Sequence, residues 1–183
     1  MPTVPLPLDA RGRTGGTSVL RGWPLVGWSA LGIGTMATVL LGAAGAGEPG
    51  LRLVIRATAR TSVAFFTLAF VASALHRRWP APATRWLLDN RRYLGVSFGV
   101  SHLVHLLAIL QLTGWSVRGF FAAAGLVTGV LGGLGYGVLA AMVATSFDCS
   151  AAWLGPGRWR RLHGFGVWYL WGIFLVTFAP RAG

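Results

Sequence analysis

Arg91-Arg92-Tyr93-Leu94-Gly95-Val96-Ser97-Phe98-Gly99-Val100-Ser101-His102-Leu103-Val104-His105 is the stretch whose reading decides the fold. Two arginines lead into an apolar run, and two histidines follow, three residues apart. On a helix that spacing puts both imidazoles on one face. Continued to Leu112, the run is long enough for a membrane span, which needs roughly 20 apolar residues. An ionisable side chain inside such a span is expensive to bury and marks a functional hypothesis by default. The histidines are therefore candidate ligands, and the rest of the chain is read for what they could hold.

Composition agrees with a membrane setting. Of 183 residues, 54 % are hydrophobic and only 11 % charged, against about 25 % charged in soluble domains; mean hydropathy is +0.62. All sixteen basic residues are arginines, opposed by four acids, for a formal charge of +12. The arginines cluster at the ends of apolar segments, which points to lipid headgroups and topology control rather than to nucleic acid. The single cysteine, Cys149, excludes an internal disulfide, and no zinc-type spacing is present.

In chain order, residues 1–22 form a polar, Pro-rich extension without the apolar core of a signal peptide. Apolar segments predict five spans, roughly 23–46, 61–75, 93–112, 117–145 and 162–178, so the bundle covers 23–181. Gly47-Glu48-Pro49-Gly50 reads as a turn. Arg52, Arg56 and Arg60 share a face of a short amphipathic lead-in to the second span. Residues 80–92 and 146–161 read as loops, and Asp9, Glu48, Asp89 and Asp148 all fall outside spans. Gly125, Gly129, Gly133 and Gly137 recur every four residues, a bare stripe suited to close helix packing. With the N-terminus inside, eleven arginines lie on the inner side and five on the outer, which predicts N-in, C-out.

At about 1.5 Å per residue, His102 lies about 15 Å and His105 about 20 Å from the Arg92 end. His163 lies within a turn of the inner surface. Haem iron is the obvious ligand for a histidine pair between helices, but an axial pair must meet at one depth. His105 and His163 do not.

Several motifs resemble the ferric-reductase-like transmembrane domain family, nearest to the haem-binding membrane subunit of bacterial methionine sulfoxide reductase systems. They are Arg60-Thr61, Arg91 to Gly95 with His105 fourteen residues after Arg91, Thr145-Ser146, Leu154-Gly155, and Arg158 to His163. The resemblance covers about residues 55–178. It implies a helix bundle in the bacterial inner membrane that carries a b-type haem and passes electrons across the bilayer. It also implies His105 as an outer ligand and His163 as the inner histidine of the last helix, with Arg60 and Arg91 neutralising propionates. Quinol or a cytosolic flavoprotein would be the donor, and partner membrane subunits are expected.

The chain departs from the family pattern where a second outer histidine is expected, thirteen residues after His163. That position is Val176. Three readings follow: a five-coordinate haem on His105 or His102, a second ligand from a partner subunit, or a haem-free accessory subunit of a respiratory or photosynthetic complex that contacts pigments or lipids. No carboxylate pair, nucleophile elbow or phosphate loop is present. With no room for a flavin or nicotinamide domain, the chain alone is not expected to be a complete reductase.

Overall fold

The computed structural model describes residues 20–178. The predicted N-terminal extension lies outside the described residues up to residue 19, as do the bundle's last residues, 179–181. Seven helices and no strand occur among the described residues: α1 (Trp23–Ala44), α2 (Glu48–Arg78), α3 (Pro82–Leu112), α4 (Val117–Ala124), α5 (Leu126–Ala144), α6 (Asp148–Leu154) and α7 (Pro156–Phe178). Four of them, α1, α2, α3 and α5, are long and apolar enough to cross a membrane. The chain is an all-α membrane protein whose helices contact lipid. The fifth expected span is the C-terminal part of α7, which is not among those four. At 23 residues α7 is about 35 Å long, but its first two turns carry Arg158, Arg160, Arg161 and His163.

The helices outrun the apolar segments. The lead-in at 51–60 and the second span are one helix, α2, with Pro49 in its first turn, and the turn ends at Gly47. The segment 80–92, expected as a loop, is helical from Pro82, so Asp89 is helical too. Proline fits a first helical turn because its missing N–H has no partner there anyway. The segment 146–161 holds α6 and the start of α7, so Asp148 and the exposed Cys149 are helical. The expected fourth span, 117–145, is broken in two at Gly125. Its φ of 76° is open to glycine but strained for other residues, and its N–H closes α4 on the Phe121 carbonyl.

The glycine stripe packs closely only at Gly129, where a methyl group would collide with the Phe121 ring of α4. A methyl group at Gly133 or Gly137 would meet nothing within 4 Å. Helix α5 meets α7 instead through Gly135, set against Ile173 and Leu170, and through Gly166 of α7, set against Met142 and Val138. Gly99 brings α3 against Val143 of α5.

The most extensive packing is between α2 and α3. Its centre holds Thr58, Ser62, Ser97 and Ser101, all fully buried. Small hydroxyl residues let two helices approach closely and bond across the gap. Toward the Arg91 end, Phe66, Phe98, Leu139 and Leu170 form one buried apolar cluster drawn from α2, α3, α5 and α7. The start of α1 is tied to the same end of α3. The Gly22 N–H donates to Asn90 Oδ1, and the Trp86 indole donates to the Leu20 carbonyl.

Candidate functional site

His102 and His105 project from α3 one turn apart, as their spacing predicts. Their rings lie nearly parallel, 5.2 Å apart with 14° between planes. Tyr136 of α5 also stacks on His102, at 4.7 Å. His102 thus links the ring of His105 on α3 to that of Tyr136 on α5.

The hydrogen bonds fix the tautomer of each imidazole. His105 Nδ1 is 3.0 Å from the Ile55 carbonyl oxygen. A carbonyl only accepts, so Nδ1 carries the hydrogen. Thr58 Oγ1, 3.2 Å from the same nitrogen, directs its own hydrogen to the Val54 carbonyl. His102 sits at the end of a chain of hydroxyls. Ser101 donates to the Thr58 carbonyl at 3.1 Å, so Ser62 must donate to Ser101 at 3.0 Å. Ser62 Oγ therefore accepts from His102 Nδ1–H, at 3.3 Å. Both Nδ1 atoms are engaged as donors by α2. Neither Nε2 has a hydrogen bond among the described residues. A donor bond at Nδ1 is the device that orients a neutral imidazole as a ligand through Nε2.

His163 is placed differently. Its Nε2 lies 3.0 Å from Thr145 Oγ1, whose hydrogen goes to the Ala141 carbonyl at 2.7 Å. The imidazole therefore donates through Nε2, the reverse of the α3 pair. Trp159 stacks on its ring at 4.1 Å. His163 and Arg91 line one cleft near the end of the bundle, with the buried apolar cluster as its floor. Fourteen residues along α3 separate Arg91 from His105, about 21 Å. The axial pair excluded by depth in the sequence is excluded by the fold as well.

Arg60 is exposed on α2, two residues from both Thr58, which meets His105, and Ser62, which meets His102, so its side chain is turned about 200° away from the histidines. It stands at the level of the histidines and makes no hydrogen bond or ion pair among the described residues. Arg91 donates to Ser73 Oγ and is too far along α3 to serve a group held on His105. Val176 is 71 % exposed. Phe174, two residues before it, packs on Phe98 and His102. Among the described residues, no three histidine, cysteine or acidic side chains stand together as a metal site, so the histidine pair has no carboxylate or thiolate beside it.

The hydroxyl relay of Thr58, Ser62 and Ser101 was missed in the sequence reading, as was Tyr136. The four-residue spacing of Thr58 with Ser62, and of Ser97 with Ser101, was the available signal. The donor set fits one axial bond to a haem iron, from either Nε2. It does not fit two, because axial ligands face each other across the ring and these imidazoles stack side by side. No protein-family model, no curated protein and no solved structure matches the chain.

Proposed function

We propose that the chain is a b-type haem-binding subunit of ferric-reductase-like architecture, a five-span bundle in the bacterial inner membrane with its N-terminus cytoplasmic and its C-terminus outside. It would work within a larger redox complex. The observation that carries the reading is the pair of Nδ1–H donor bonds from His105 and His102 to α2, which leaves two unbonded Nε2 atoms in an apolar setting. His105 would be the axial ligand, since a backbone carbonyl fixes its tautomer. His102 would lie against the bound group. A bound haem would supply a one-electron iron couple; this chain's residues orient it and exclude water from one face. Electrons would come from quinol or a flavoprotein held by another subunit.

The test is the absorption spectrum of the purified chain. A Soret band is expected, retained in Arg60→Gln and lost in His105→Ala. A folded, colourless protein purified from haem-supplied cells would end the proposal.

A second reading, a haem-free accessory subunit, is favoured by one observation. Gly133 and Gly137 of α5 face open space, a bare strip suited to a partner helix. It predicts stable co-purification with other membrane subunits and no Soret band.

A further inference from the structure

The arginine end of the bundle holds a second site, distinct from the histidine pair. It is a cleft of about 390 Å³ between α2, α3, α5 and α7, within the roughly 300–1,000 Å³ of small-molecule sites. Its floor is the buried apolar cluster of one residue from each helix. Seven residues from that floor the walls reach the mouth, at Ser73, Arg91 and His163 on α2, α3 and α7 and at Ser146 in the turn after α5. Seven helical residues are two turns, so the cleft is about 10 Å deep along α2, α3 and α7. It is apolar below and cationic above.

The cations at the mouth are under-neutralised. Arg91 bonds only the neutral Ser73 hydroxyl. Arg160 is exposed and makes no hydrogen bond or ion pair among the described residues. Arg92 uses Nε on the Ser146 carbonyl and Nη1 on Asp148, whose side chain is 89 % exposed. Its Nη2 is buried without a hydrogen-bond partner. A buried donor lacking an acceptor is uncommon and asks for one. No acidic residue lines the cleft.

We infer that this cleft binds an anionic amphiphile, a phosphate-headed lipid of the adjoining leaflet. An acyl chain lies on the floor, and the phosphate sits among Arg91, Arg92 and Arg160. Guanidinium groups match phosphate oxygens in geometry and charge. A quinone or other neutral ring would fill the floor but leave Arg91 and Arg160 without a counter-charge and the Arg92 Nη2 without an acceptor. The floor closes the cleft off from His102, because the Phe98 ring packs on that imidazole at 5.3 Å. The inference therefore stands whether or not the histidines hold haem.

The test is native mass spectrometry of the full chain released from detergent, with dioleoylphosphatidylglycerol or dioleoylphosphatidylcholine added. One phosphatidylglycerol is expected to stay bound under activation that strips phosphatidylcholine. Arg160→Gln, which removes no contact within the described fold, should weaken retention at least tenfold when combined with Arg91→Gln. Leu170→Trp, which fills the floor and keeps the arginines, should weaken it similarly. Equal retention of the two lipids would overturn the inference, as would full retention by both variants. So would competition by inorganic phosphate alone at millimolar concentration, which would mean an anion site without an acyl slot.

Discussion

The imidazoles of His102 and His105 lie parallel, 5.2 Å apart and one turn apart on α3, with both Nδ1 atoms turned to acceptors on α2. Two ligands so arranged approach a metal from the same side. A haem held here would keep one axial position free of any histidine from α3. The purified haem protein is expected to be high-spin and to become low-spin when imidazole is added. A spectrum indifferent to imidazole would show the sixth position already filled, which this arrangement does not allow from its own pair. His102→Ala is expected to retain haem and His105→Ala to lose it.

The hydroxyls between α2 and α3 give opposed expectations for two similar substitutions. Ser62→Ala removes the acceptor of His102 Nδ1–H and the donor to Ser101. A stranded buried polar group costs about 1–3 kcal/mol, so the thermal midpoint in detergent should fall. Ser97 is fully buried, and its Oγ has no hydrogen-bond partner. Ser97→Ala removes that unsatisfied oxygen and should leave the midpoint unchanged or raise it. Equal destabilisation by both would mean that helix contact, not the relay, sets the stability there.

Much of this fold was legible because apolar runs of about twenty residues have few other uses. The histidine face was legible too, since a spacing of three on a helix fixes direction. Helix ends were not. Arg52 to Arg60 and Thr84 to Arg92 are polar enough to end a span, but polarity ends a membrane segment without ending a helix. The break at Gly125 was hidden inside a periodic glycine pattern. Only the positive φ there separates a break from a packing stripe. The relay and the cleft depend on which faces of four helices meet, and residues seven apart on separate helices carry no shared signature in one sequence.

The glycines divide sharply by what surrounds them. A Cβ at Gly50 would collide with the Gly45 carbonyl oxygen, where the chain folds back between α1 and α2. One at Gly99 would lie 2.6 Å from Val143 Cγ2, a branched side chain with little freedom to turn. Gly50→Ala and Gly99→Ala are expected to lower expression and thermal midpoint. Gly133→Ala and Gly137→Ala meet nothing and should match the parent protein, or exceed it slightly through better helix propensity. If the two stripe variants are damaged in isolated protein, the stripe packs against something within a single chain. Damage confined to complex assembly would instead identify the partner face.

Val176 gives the strictest test of how α7 is turned. The ferric-reductase-like pattern has a histidine at this position, which Val176→His would supply. Phe174 packs on Phe98 and His102, and two residues along a helix turn the side chain by about 200°. Position 176 therefore points away from the histidine pair, consistent with its 71 % exposure. The imidazole-induced spectral change expected of the parent haem protein should persist unaltered in Val176→His. A variant that is low-spin before imidazole is added would require α7 to be rotated by about half a turn. The contact of Gly135 with Leu170 and Ile173 would then not exist as described.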